Sequence, residues 1–215
     1  AMPASQAHVA LDLRTEHATA PLTVDVANPR FSWQPSHPRR AELQTAFRVR
    51  VVTGNKVVWD SGTVASNRTR VLYGGAIALT SDTDYTWSVL WTDASGALSL
   101  PANSTFSTAL LREADWCGAE WLSSSNNGSL NVYRSSALPL DAAPLRARLF
   151  IASPGYYHAT INGEATDEHL LGPQSTFQVR ALYDVWDVTA LLHGGCNVLG
   201  VAVGGGWGAN THARK

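Results

Sequence analysis

Hydrophobic and polar residues alternate in short runs along the first half of the chain, and no stretch of useful length keeps helical spacing. In Thr45-Ala46-Phe47-Arg48-Val49-Arg50-Val51-Val52, Phe47, Val49 and Val51 share one face while Arg48 and Arg50 take the other. The alternation is strongest in Tyr85-Thr86-Trp87-Ser88-Val89-Leu90-Trp91, where Tyr85, Trp87, Val89 and Trp91 fall on a single face. Side chains on a strand point alternately to opposite faces, so each pattern predicts a strand with one side buried. Arg30-Phe31-Ser32-Trp33, Val57-Val58-Trp59-Asp60 and Ser104-Thr105-Phe106-Ser107-Thr108 add further strands. Gly54-Asn55 and Asp93-Ala94-Ser95-Gly96 supply turns between them. About seven short strands at this spacing predict an immunoglobulin-like or fibronectin-III-like sandwich of about 100 residues.

The second half is also strand-like but less regular. Leu149-Phe150-Ile151-Ala152 and Tyr157 to Ile161 predict a hairpin across Ser153-Pro154-Gly155. Asn162-Gly163 is the sharpest turn signal in the chain, because both residue types tolerate positive φ. Val179 to Val185 predicts another strand, and Asn197 to Val203 a nearly continuous apolar one. Asp187 to Gly194 reads as a capped single helical turn ended by glycine. The crossover falls at Glu113-Ala114-Asp115-Trp116-Cys117-Gly118-Ala119-Glu120-Trp121, with two tryptophans suited to packing. The expected architecture is therefore all-β: a fibronectin-III/immunoglobulin-like sandwich over 1–112, then a partial jelly-roll-like β-sandwich over 113–215. A jelly roll needs eight strands, and the second segment has room for about six. This predicts an open sheet edge, covered by another chain or by a further domain.

Composition narrows the function classes. Hydrophobic residues make up 45% and charged residues 15%, which excludes a disordered chain. The net charge is −1 and the basic residues form no cluster beyond Arg39-Arg40, which argues against a nucleic-acid partner. No apolar run approaches the roughly 20 residues of a membrane helix. No basic-then-apolar leader is visible, which slightly favours a cytoplasmic setting. Cys117 and Cys196 are expected as free thiols. The seven histidines show no metal-ligand spacing along the chain, which argues against a zinc site. Gly204-Gly205-Gly206 follows a strand but is not followed by a helix, so a dinucleotide site is not expected.

The residues above resemble the N-terminal region of bacterial and fungal α-L-rhamnosidases. Pro29-Arg30-Phe31-Ser32-Trp33, Val58-Trp59-Asp60-Ser61-Gly62, Tyr85-Thr86-Trp87 and Phe106-Ser107-Thr108-Ala109-Leu110 resemble the family's opening fibronectin-like domain. Asn162-Gly163, Leu171-Gly172-Pro173, Thr176, Tyr183, Asp187-Val188-Thr189 and Gly204-Gly205-Gly206-Trp207 resemble its second module. The resemblance implies an inverting glycosidase whose catalytic carboxylates lie in an α/α barrel that this segment does not include. It implies no catalytic residue here. Asp167 and Glu168 are neighbours and would point to opposite faces of a strand, so they cannot straddle one glycosidic bond. The candidates for carbohydrate binding are Asn162, which matches the family's turn, Asp167, Glu168 and His169 in the following loop, where the chain departs from the family's Val-Gly-Asp, and Trp207 among glycines; calcium is the one cofactor the resemblance suggests. The chain departs from the family at Pro173-Gln174-Ser175-Thr176, where many relatives carry a tryptophan. A stand-alone carbohydrate-binding module and a scaffold without sugar affinity are the competing readings.

Overall fold

The structure is a computed structural model that describes residues 8–122, 130–153, 155–166, 173, 175–176 and 179–204. It divides into two compact units, 1–119 and 120–215. No α-helix occurs among the described residues.

The first unit contains β1 (Val9–Thr15), β2 (Arg30–Ser36), β3 (Ala46–Thr53), β4 (Lys56–Asp60), β5 (Val64–Ala65), β6 (Arg70–Leu72), β7 (Asp84–Thr92) and β8 (Ala102–Ser107). One antiparallel sheet has the order β1-β2-β6; the other has the order β4-β3-β7-β8, with β5 added alongside β3. The alternation read from the sequence decides which side of each strand is buried. Tyr85, Trp87, Val89 and Trp91 are buried on β7, and Phe47, Val49 and Val51 on β3. From the facing sheet, Phe31 meets Trp87 at 4.9 Å and Phe106 at 5.6 Å between ring centroids. Aromatic burial on this scale makes the inter-sheet core the main stabilising element of the unit.

The polar face of β3 has a separate role. Arg48 donates to both carboxylate oxygens of Asp60 on β4, at 2.8 and 2.6 Å, and Arg50 reaches Asp60 Oδ2 at 3.2 Å. The hydrogen bonds from Arg48 hold the Asp60 carboxyl below its usual range. These pairs are largely exposed, so they set register more than they add stability. Gly54, at φ 53°, makes the β3–β4 turn in a left-handed conformation that glycine adopts without penalty.

At the entry to β7 the Tyr85 hydroxyl accepts a hydrogen bond from the Thr80 backbone N–H at 2.8 Å. A tyrosine at this corner of an immunoglobulin-like sandwich, bonded a few residues upstream, pins the crossover between the sheets. Its ring stacks on Phe106 at 5.1 Å. Tyr85→Phe keeps the ring and strands one amide, so the expected loss is about 1–2 kcal/mol in urea unfolding of the whole chain. An unchanged midpoint would show that the hydroxyl does not hold the corner.

The second unit contains β9 (Leu130–Leu140), β10 (Arg148–Ile151), β11 (Tyr156–Ile161), β12 (Glu164–Ala165), β13 (Asp184–Asp187) and β14 (Gly195–Gly204). Its four-stranded sheet has the order β12-β11-β14-β9, and β10 pairs with β13 in a second sheet. The Tyr157 hydroxyl on β11 donates to Asp184 Oδ2 on β13 at 2.5 Å, tying one sheet to the other. Trp186 Nε1 donates to the same hydroxyl at 3.1 Å.

Three local expectations are corrected. β10 and β11 do not form a hairpin: Phe150 pairs with Val185, and Ala159 pairs with Val201. The apolar β14 takes β11 on one edge and β9 on the other, so β10 and β11 belong to different sheets. The strand expected over Val179 to Val185 is confined to Asp184–Asp187. Upstream, the Val179 and Arg180 amides both donate to the Thr176 carbonyl, a turn that withdraws them from any ladder. The helical turn is a short 3-10 turn over Thr189–Leu191, and it runs into extended Leu192 before any glycine is reached. Its N-cap is Val188, without a side-chain cap; Asp187, one residue earlier, instead accepts at Oδ1 from Thr189 N at 3.0 Å and from Thr189 Oγ1 at 2.6 Å.

Candidate functional site

Asn162 and Gly163 carry φ values of 55° and 88° and connect β11 directly to β12, with Ile161 opposite Glu164. Two residues at positive φ give the tight turn whose twist matches that of the flanking strands. The Asn162 side chain then turns inward on the fold. Its Nδ2 donates to the Leu191 carbonyl at 2.9 Å and to Asn197 Oδ1 at 2.8 Å. Its Oδ1 accepts from the Val198 amide at 2.9 Å. Both donors are therefore engaged, and one acceptor lone pair is left for a ligand.

Asn197 completes this network and was not singled out by sequence reasoning. It is fully buried, with Oδ1 accepting from His193 N at 3.1 Å as well as from Asn162. Its Nδ2 donates to His193 O at 2.8 Å, and to Leu138 O and Gly195 O at 3.3 Å each. The ladder between β14 and β9 shifts register between Asn197 and Leu199, and the amide side chain serves backbone groups that the ladder leaves there. An asparagine opening an apolar run, between Gly195-Cys196 and Val198-Leu199, was the available sequence signal.

Of the other residues marked for carbohydrate binding, Asp167, Glu168, His169 and Trp207 lie outside the described residues. Asp184 and Asp187 serve the fold. Asp184 accepts from Tyr157, and Asp187 precedes the 3-10 turn, where hydrogen bonds from Thr189 hold its carboxyl below the usual range. At Glu16, Asp60, Asp93, Asp115 and Asp187 hydrogen bonds or cationic partners hold the carboxyl below its usual range. A glycosidase acid needs the opposite shift, produced by burial away from such donors.

Calcium, suggested by the family resemblance, takes about six to eight oxygen ligands. Among the described residues the one cluster of three or more His, Cys, Asp or Glu side chains is His8, His37 and Asp93, and it is dominated by imidazole. An open groove on the first unit is lined by Arg30, Arg68 and Arg70 beside Phe47 and Val71. Arg30 is already paired with Glu16 at 3.0 Å.

The strands of both units define the class: tandem all-β modules, the first an immunoglobulin-like sandwich. Comparison with known proteins agrees in both units. Residues 10–112 match the Rha78A-like, N-terminal immunoglobulin domain, and residues 142–215 match the alpha-L-rhamnosidase N-terminal domain. The chain is 26% identical to an alpha-L-rhamnosidase of Formosa agariphila, a match covering 87% of this chain and 23% of that protein. It is 28% identical to one of Streptomyces avermitilis, covering 87% and 21% respectively. The solved alpha-L-rhamnosidase from Dictyoglumus thermophilum superposes with a TM-score of 0.85 at 32% identity, over 94% of this chain and 26% of that one. The enzyme from Aspergillus terreus gives 0.78 at 25% identity, over 94% and 24%. The chain carries the N-terminal domains of α-L-rhamnosidases. It spans about a quarter of the length of these relatives.

Proposed function

We propose that the chain is the non-catalytic N-terminal part of a glycoside hydrolase acting on terminal α-L-rhamnose. Its two modules support the catalytic domain and hold carbohydrate near it. One observation carries this reading: the matches account for 87–94% of this chain but 21–26% of the relatives. Val132, Leu145 and Val179 on the second unit are exposed apolar side chains and supply surface for contact with a further domain.

Incubating this chain with an aryl α-L-rhamnoside is expected to release no aglycone above the blank. Measurable turnover would overturn the reading. Calorimetry with L-rhamnose, with and without calcium, tests the carbohydrate role separately. Heat of binding abolished by Asn162→Ala or Trp207→Ala would support it, and no binding heat in either condition would leave the scaffold role.

A further inference from the structure

The first unit holds a cluster that the reading above does not use. His8 lies immediately before β1, His37 in the loop after β2, and Asp93 in the turn after β7. The antiparallel pairing of Val9 with Ser36 brings the first two together at one end of the sandwich. One potential ligand atom from each of the three residues lies within 4.8 Å of the others.

Each side chain is held in place by its surroundings. His8 is 2% exposed, packs edge-on against Trp91 at 4.3 Å and lies 4.9 Å from the His37 ring. Its backbone carbonyl accepts from Leu100 N at 2.8 Å. Its Nε2 is buried without a hydrogen-bond partner among the described residues, an arrangement that natural cores rarely leave uncompensated. Asp93 Oδ1 is taken up by Ser95 Oγ at 2.6 Å, Ser95 N at 2.8 Å and Ala97 N at 2.9 Å. These bonds, the Ser95 hydroxyl foremost, bring its pKa down to about 2 and keep it ionised. Oδ2 is left facing His37 Nε2 at 3.5 Å and Arg39 at 3.2 Å.

We propose that His8, His37 and Asp93 form a binding site for a borderline divalent cation, zinc being the best match, which staples the start of β1 to the loops that follow β2 and β7. Two imidazoles and a carboxylate are a characteristic zinc donor set, with water completing the tetrahedron. Donors about 2.0 Å from a tetrahedral zinc lie about 3.3 Å from one another, close to the separation of His37 Nε2 and Asp93 Oδ2. Other first-row cations that accept imidazole would compete for the same site, whereas calcium and magnesium favour oxygen donors.

Binding replaces the direct His37–Asp93 contact and displaces two contacts made by Arg39. Its guanidinium leaves Asp93 Oδ2 but keeps Glu42 Oε2, which it already holds at 2.8 Å. The side chain is 59% exposed and free to swing. Its backbone N–H gives up His37 Nδ1, now 2.9 Å away, because a ring that coordinates through Nε2 carries its proton on Nδ1. Arg39 is therefore the natural competitor of the metal.

The test uses the full chain, stripped with a chelator and titrated with zinc chloride by calorimetry, with thermal melts in parallel. The expected result is one zinc per chain and a melting temperature that rises with zinc and falls back with chelator. His8→Gln and His37→Gln are expected to weaken binding at least tenfold, and Arg39→Ala to tighten it. Absence of stoichiometric zinc binding to the unsubstituted chain would overturn the proposal. So would undiminished affinity in both glutamine variants, which would place the zinc elsewhere. If either glutamine variant is misfolded by circular dichroism, Arg39→Ala decides: tighter binding supports the site and unchanged binding refutes it. Because the readout is metal affinity and not turnover, the result is independent of the rhamnosidase reading.

Discussion

Replacing Trp87 with alanine is expected to destabilise the first unit by about 3–5 kcal/mol, the largest single effect available in that sandwich. Trp87 has no exposed surface, lies on β7 between β3 and β8, and packs against Phe31 from the opposite sheet. Truncation removes the apolar contacts of the indole and leaves a cavity that the strand ladders on either side prevent from collapsing. Trp87→Phe provides the control. The Trp87 indole N–H is buried without a partner among the described residues, so phenylalanine removes an unsatisfied donor while keeping most of the ring packing. Its cost is expected to stay near about 1 kcal/mol. Trp33→Phe should cost more than a simple loss of volume, because Trp33 Nε1 donates to Gln44 Oε1 at 2.9 Å in a buried site. Urea unfolding of the three variants, followed by far-ultraviolet circular dichroism, gives the ranking. A Trp87→Ala midpoint close to that of Trp87→Phe would mean that the core relaxes around the cavity.

Asn197→Leu is expected to destabilise the second unit by about 3–4 kcal/mol, although leucine is close in shape and far more apolar. Two effects oppose each other. Leucine gains transfer free energy on burial, of the order of 2 kcal/mol. Against that, the His193 amide loses its acceptor, and the Leu138, His193 and Gly195 carbonyls lose a donor from a side chain that is itself fully buried. Unpaired buried amides cost about 1–3 kcal/mol each, so the polar loss wins. Asn197→Asp separates the donor contribution from the rest. It keeps an acceptor for His193 N but puts a carboxylate against carbonyl oxygens, which raises its folded-state pKa. A raised acidic pKa favours the folded state only while the group is protonated. The deficit relative to the unsubstituted chain is therefore smallest below about pH 4 and grows as pH rises toward the folded pKa. Paired melts at pH 4 and pH 7 check the sign. A deficit independent of pH would mean that the three carbonyls do not face the substituted group.

The two predictions differ in how visible their residues were beforehand. Trp87 could be read from the alternation of its strand, because period-2 patterning reports the buried face wherever a sheet has one solvated side. The same rule marked Phe47, Val49 and Val51, and the sandwich class followed from the number and spacing of such runs. Asn162-Gly163 was legible for a local reason, since the turn geometry depends on the two residues themselves. Asn197 was not, because an asparagine in an apolar run is uninformative until the carbonyls and amides around it are known. Its partners come from 138, 162 and 193–195, and only chain crossing brings them together.

By itself the sequence determined the all-β character, the buried faces of β3 and β7, the positive-φ turn after β11 and the local hydrogen bonds of Asp187 to Thr189. Each of these is set by a residue and its near neighbours, through side-chain alternation or a local hydrogen bond. Tertiary structure decided that β10 pairs with β13 while β11 joins β14, because short apolar strands of similar character do not encode a partner and the choice falls to the packing of whole sheets. It also decided that His8 and His37 meet beside Asp93. Ligands held on three separate segments have no spacing along the chain to read, only a distance across the end of a sandwich.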